Sequence, residues 1–369
     1  MRFVPSWARP LHQGALPNSN QGALSLRDDP VRDLPVTAAP DAAASGAAAA
    51  AAAAAAQPAR ARRAIPDAAR ESRWALPDGH LLRRIDWPAG PRGSILFMPG
   101  RGDAYEKWLE TLDGWHHDGW QVTSADWRGQ AGSGRLGHDR TTGHVPDFAV
   151  WVADYAALYA DWAARTSGPH VAVAHSMGGH LVLRAVAEGA VKPDALVLSA
   201  PMLGIHPAWI PARVLHPVAR TIAGLGDPAR PAWKGGEKPG AQPRARSLLL
   251  THDESRYDDE QWWRHRRPEL AMGAASWGWI ERALASIRAL EAPGLLEGVD
   301  VPVLLLGTAI DGLVSWPAIR RAAARLPRGE LVGYGAECRH EILREVDAVR
   351  DRALAAIAAF LNTHAPAWG

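Results

Sequence analysis

The stretch Val171-Ala172-Val173-Ala174-His175-Ser176-Met177-Gly178-Gly179-His180 decides how this chain folds. A short apolar run drives into a serine flanked by small residues, and a helix pattern follows at once. That pattern fits a buried strand turning sharply into a helix with a serine at the apex. The turn crowds the backbone, so the positions two before and two after the serine must be small. It exposes the serine oxygen and aims the first amides of the helix at the same spot. A serine hydroxyl is a poor nucleophile at neutral pH and needs a base and an orienting acid. The acid should follow a later strand, and the base should lie near the C-terminus.

Both are present. Val301-Pro302-Val303-Leu304-Leu305-Leu306-Gly307 is an apolar run of buried-strand type, and it ends in a loop with Asp311 at its tip. Glu330 to Tyr334 reads as a short strand leading to Cys338-Arg339-His340-Glu341-Ile342-Leu343. Each element alone is common: Gly-rich turns often carry a structural serine, Asp often caps a helix, and a late His is often a surface residue. Together they give the order Ser176, Asp311, His340, each on the element that the chemistry requires.

Length and composition set the frame. A chain of 369 residues with a hydrophobic fraction of 47% has room for one large α/β domain with an insertion, or for two domains. A net charge of +2 gives no argument for nucleic acid. The single cysteine, Cys338, excludes an internal disulfide and fits a reducing, cytoplasmic compartment. It reads as a packing residue or a lining residue of the site. The 17 tryptophans suit either a core or a lipid-facing pocket. The histidines show no ligand cluster, so neither a metal nor a cofactor is expected.

Residues 1–65 lack apolar periodicity and include the alanine run Ala47 to Ala56, which reads as a disordered, dispensable tail. The run is too short and too weakly apolar to span a bilayer. From about Glu71, strand patterns alternate with helix patterns: a hairpin across Pro77-Asp78-Gly79, then strands at Ser94–Met98, 122–126, the serine strand and 195–200. This alternation predicts a mainly parallel sheet covered on both faces. The core is expected to cover 72–200 and 286–363. Between them, 201–285 breaks the rhythm and reads as a cap. It carries an apolar helical face (Ile210, Val214, Val218, Ile222, Leu225) and the tryptophans Trp262, Trp263, Trp277 and Trp279.

Several segments resemble the lysophospholipase and monoacylglycerol lipase branch of the α/β-hydrolases, whose members include serine aminopeptidase-like enzymes. They are Pro99-Gly100-Arg101-Gly102, Asp126-Trp127-Arg128-Gly129-Gln130, His175 to His180, Trp277-Gly278-Trp279 and His340-Glu341-Ile342-Leu343. The resemblance covers roughly residues 72 to 363. It departs at Ala174, which replaces the first glycine of Gly-x-Ser-x-Gly and is small enough for the turn. It departs again at Ala131 and Pro99.

The resemblance implies an α/β-hydrolase fold: a mainly parallel central sheet, helices on both faces and a helical cap insertion. It implies a serine ester hydrolase acting on a monoacyl lipid, with Ser176 as nucleophile, His340 as base and Asp311 as orienting acid. The backbone amides of Met177 and Arg101 would form the oxyanion hole. Asp126 and Arg128 are expected to fix a loop as a pair. The partner is then a small acyl ester or lysolipid met in the cytoplasm, with peripheral contact at the inner face of the membrane, and no nucleic acid. An aminopeptidase would need an acidic anchor for the substrate amine. Asp253, Glu254, Asp258 and Asp259 are the candidates, and they read instead as solvated cap charges. The same frame could also serve a general carboxylesterase or a non-catalytic binding protein, and the intact triad opposes the second of these.

Overall fold

The computed structural model describes residues 62–206, 210–233 and 243–367. An eight-stranded sheet forms its centre, in the order β1-β2-β4-β3-β5-β6-β7-β8. The strands are β1 (Arg70–Ala75), β2 (Leu81–Asp86), β3 (Ser94–Met98), β4 (Gln121–Ala125), β5 (His170–His175), β6 (Ala195–Ser199), β7 (Val303–Thr308) and β8 (Gly329–Tyr334). The β1–β2 hairpin joins β4 antiparallel, and every pair from β4 to β8 is parallel. Strands β3, β6 and β7 are buried at every position, as continuous apolar runs in a covered parallel sheet should be. The edge strand β8 is largely half-buried or exposed.

The helices are α1 (Leu109–His117), α2 (Phe148–Arg165), α3 (Ser176–Ala187), α4 (Ala212–Gly224), α5 (Pro243–Leu250), α6 (Glu254–Arg266), α7 (Trp277–Leu290), α8 (Trp316–Arg325) and α9 (Asp347–His364). Asp147, Asp253, Ser276 and Ser315 cap α2, α6, α7 and α8 by accepting a backbone N–H in the first turn. These caps end loops that composition alone leaves open. Strands alternating with helices over a mainly parallel sheet give the expected α/β architecture.

Helices α4 to α7 form the insertion between β6 and β7. Its last helix runs to Leu290, past the expected limit at 285. Leu250 O accepts the N–H of Glu341, Gly273 O accepts from the Arg101 guanidinium, and Ile205 bridges to Val314. The insertion therefore lies against the loops after β3, β7 and β8, at the carboxyl edge of the sheet.

The apolar face of α4 is turned largely outward: Val214, Val218 and Leu225 are exposed, and the buried positions are Ala219 and Ala223. One expectation needs correcting: the N-terminal boundary is too late. Residues 1–61 lie outside the described residues, but Arg62 and Arg63 both pair with Asp259 on α6, and Ile65 packs on the core.

Candidate active site

Strand β5 ends at His175, and α3 starts at Ser176 with no intervening loop. The change from strand to helix within one residue puts Ser176 at φ +54°, the left-handed region that side chains disfavour. Such strain persists only when packing over-determines it, and here it does. A Cβ on Gly178 would sit 2.4 Å from Pro99 O, so the loop after β3 presses directly on the first turn of α3. A Cβ on Gly100 would lie 3.1 Å from Ser176 Cβ. The loop that carries Arg101 therefore crosses beside the serine.

The three predicted residues meet. His340 Nε2 lies 2.9 Å from Ser176 Oγ, and His340 Nδ1 lies 2.7 Å from Asp311 Oδ2. The carboxylate can only accept, so Nδ1 carries the proton and Nε2 is left to accept from the serine hydroxyl. Asp311 is itself held, because its Oδ1 accepts the amides of Leu313 at 2.8 Å and Val314 at 3.0 Å. His340 and Asp311 are buried, whereas Ser176 is half-buried. Burial works against the His340 charge, but the Asp311 carboxylate outweighs it and raises its pKa above the ordinary value. The neighbouring His175 goes the other way: burial and the charge of His340 hold its pKa well below the usual value. Its ring packs between Trp108 and His340, with centroids 4.8 Å from each.

The Arg101 loop is pinned on both sides. Trp127 Nε1 donates to Pro99 O at 2.8 Å. The Gly100 amide donates to Asp103 Oδ2 at 3.1 Å, and the Gly102 amide to Gln130 Oε1 at 2.7 Å. Met177 is the second residue of α3, with its amide in the unpaired first turn. The Arg101 side chain leaves the loop for the insertion, donating to Gly273 O at 2.7 Å and lying 5.2 Å from the Trp279 ring centroid.

Other expectations fare differently. Asp126 and Arg128 do not pair with one another. Asp126 accepts from Arg83 Nε at 2.6 Å, while Arg128 is paired with Asp154 at 2.7 Å and Asp78 at 2.8 Å. Alternate residues of that segment point to different neighbours, so each braces a separate loop. Cys338 is fully buried in the core, with burial raising its thiol pKa. Asp259 is buried and bound to two arginines, not solvated. Asp253 caps α6 and pairs with Arg256, and only Glu254 and Asp258 are exposed. Sequence reasoning missed Asp103, Lys107 and Glu341. The four-residue spacing of Asp103 and Lys107, which allows a pair on one helical turn, was the available signal.

Residues 89–347 match the family described as serine aminopeptidase, S33. The chain belongs to this family of α/β-hydrolases. Among curated members, lysophospholipase L2 of Escherichia coli is 33% identical over 288 residues, covering 73% of this chain and 80% of that protein. A probable lysophospholipase L2 of Haemophilus influenzae is 26% identical over 282 residues, 73% of this chain and 84% of its own. Among solved structures, a soluble variant of the Saccharomyces cerevisiae monoglyceride lipase superposes with a TM-score of 0.63 at 18% identity, covering 81% of this chain and 97% of that one. The monoacylglycerol lipase of Paleococcus ferrophilus gives a TM-score of 0.59 at 18% identity, over 77% and 99%. At that identity these two likenesses speak for the α/β-hydrolase fold alone. Among the described residues of this family member, no helix is long and apolar enough to cross a membrane.

Proposed function

We propose that this protein is a serine ester hydrolase that cleaves the acyl ester of a monoacyl lipid, lysophospholipid before monoacylglycerol, through an acyl-enzyme. The observation that carries the reading is the hydrogen-bonded relay from Asp311 through His340 to Ser176 Oγ. The curated lysophospholipase relatives support the choice of lipid.

In this reading His340 Nε2 takes the proton from Ser176 as its oxygen attacks the ester carbonyl. Asp311 holds the imidazole in the right tautomer and stabilises the imidazolium. Charge then builds on the carbonyl oxygen, where the amides of Met177 and Arg101 meet it. Each such donor is worth about 3 kcal/mol in the transition state. The tetrahedral intermediate collapses, His340 gives its proton to the leaving alcohol, and the acyl group stays on Ser176. A water, activated by the same imidazole, releases the fatty acid and restores the serine.

Residues 201–285 act as the cap, lining the acyl chain from above the carboxyl edge. The enzyme meets its lipid at the inner face of the membrane from the cytoplasmic side. An aminopeptidase activity has less support. Asp253 and Asp259 are taken by arginines, which leaves them poor anchors for a substrate amine.

A hydrolysis screen tests the reading. Lysophospholipids, monoacylglycerols, short aryl esters and aminoacyl amides are compared by kcat/KM on the full chain. Lysophospholipid is expected to lead, and preference for aminoacyl amides would overturn the assignment.

A further inference from the structure

A second buried charge cluster lies beside the triad, and its centre is Lys107. The residue sits in the short 3₁₀ turn Tyr105–Trp108 between β3 and α1, and its side chain is 4% exposed. Its Nζ lies 2.6 Å from Asp103 Oδ1, 2.5 Å from Glu341 Oε1 and 3.2 Å from Glu260 Oε2. Burial opposes the ammonium charge, but the three carboxylates outweigh it and raise its pKa.

The three carboxylates come from three different segments, and each has a second task. Asp103 belongs to the Arg101 loop and accepts the Gly100 amide through its other oxygen. Glu341 directly follows His340. Its amide donates to Leu250 O in the insertion, and its carboxylate also takes Arg344 Nη1 at 2.5 Å. Glu260 lies on α6 and also takes Arg264 Nη2 at 2.5 Å, while that same guanidinium donates to Gly102 O at 3.3 Å. One chain of charged contacts thus runs from Gly100 through Asp103, the ammonium and Glu341 to the residue beside His340, Glu260 joins α6 to the same ammonium, and Arg264 ties α6 directly to Gly102 O.

Breaking a buried charged pair by removing one partner is costly, because the other charge is left uncompensated. A segment moving away from Lys107 would break such a pair. The oxyanion donors and the base must also be held to within about 0.5 Å of their working geometry.

We propose that Lys107 is a positioning residue of this site: its ammonium holds the oxyanion loop, the His340 loop and helix α6 in one register, a role that rests on the serine-hydrolase reading. The insertion and the reacting groups are then mechanically joined. Displacing α6 from the body loosens the Arg101 loop and the base together.

The test is Lys107→Met in the full chain, which keeps the length of the side chain and removes its charge. Hydrolysis of p-nitrophenyl butyrate is measured per active site, with sites counted by stoichiometric labelling with a fluorophosphonate. A misplacement near 1 Å costs about 10²-fold, and a fall of that order in kcat per labelled site is expected, with KM changed less than about threefold. The pH profile should move as well. His340 is faced by Asp311, Glu341 and Asp103, by the ring of His175 and by the hydroxyl of Ser176, while Arg344, Arg264 and Arg246 face the other carboxylates of the cluster. Without the Lys107 cation, the nearby carboxylates favour imidazolium more strongly, so the acid limb of kcat/KM shifts to higher pH. A purely structural role would lower the number of labelled sites and leave both kcat per site and the limb in place, and that result would overturn the proposal.

If Lys107→Met does not fold, Asp103→Asn decides. The amide oxygen can still accept from Gly100, but the ionic arm is gone. A tenfold fall in kcat per labelled site is expected, and a wild-type value would sink the proposal. Failure of the wild-type chain to label or to hydrolyse any ester is a separate outcome, which removes the serine-hydrolase reading and this role with it.

Discussion

Asp311 and His340, 29 positions apart in sequence, share a hydrogen bond of 2.7 Å between two buried side chains. Both carboxylate oxygens of Asp311 are engaged, one by the imidazole and the other by the amides of Leu313 and Val314. Asp311→Asn keeps the shape but can present an N–H to Nδ1, which favours the tautomer that cannot take the serine proton. Removing a triad acid in this way typically costs about 10⁴-fold in kcat. That fall, with little change in Tm, is expected from steady-state kinetics and thermal melts. A loss below tenfold would show that the acid is not orienting the base.

The pH dependence has a definite sign. The pKa of His340 is raised in the folded chain from its ordinary 6.5. As the proposed base, His340 works only when neutral, so kcat/KM should rise with pH through a value above 6.5. Stability runs the opposite way. A raised pKa means that the folded state binds the proton more tightly, so this contribution is present below the unfolded value and is lost as pH rises through the folded one. In Asp311→Asn the acid limb should move to lower pH. A limb unchanged in that variant would separate the measured pKa from this histidine.

Trp279 ties the insertion to the body. Its ring packs 5.6 Å from Phe148 on α2 and is 7% exposed, within the same hydrophobic core as the sheet. Trp263 is likewise buried, with Nε1 donating to Arg62 O at 3.1 Å. Trp279→Ala should cost about 3–5 kcal/mol, as truncation of a buried tryptophan does. Denaturant melts check this. A cost under about 1 kcal/mol, far below the range for a packed ring, would mean that Trp279 lines an open acyl pocket and not the core.

The segment before β1 carries a stability role. Arg62 and Arg63 both reach Asp259, which is buried. Replacing both arginines with alanine leaves that carboxylate uncompensated. A loss of about 3 kcal/mol is expected, at the low end for a buried pair because the Arg63 side chain is 32% exposed. Unchanged denaturant midpoints in the double variant would place Asp259 in water.

What was legible in the sequence was what periodicity and chain order encode. Continuous apolar runs marked β3, β5, β6 and β7, and each predicted triad residue followed one of them or the short strand β8. Ala174 in place of glycine did not obscure the turn, because the crowding that matters falls on Gly178 against Pro99 O. Side-chain pairing across distance was not legible. Lys107 and Glu341 are far apart in the chain, and nothing local in either position announces the other. Asp126 and Arg128 looked like a pair because they stand two apart, but β4 ends at Ala125 and the chain turns at Arg128, so the two side chains reach different partners. The α4 stripe was visible as a period of about 3.6, but a period gives only a face and not the side on which that face is covered.

Whether Ser176 is the nucleophile decides everything else about this site, and one variant answers it. Ser176→Ala removes a single oxygen at a half-buried position and should leave Tm within about 1 °C, since little packing is lost. The full chain and the variant are compared for fluorophosphonate adduct by intact mass and for hydrolysis of a lysophospholipid. With Ser176 as nucleophile, the wild-type chain takes one adduct and the variant takes none. Its kcat falls by about 10⁶-fold, as loss of a triad nucleophile gives elsewhere. Most of the hydrolysis surviving in a folded Ser176→Ala protein would contradict that role.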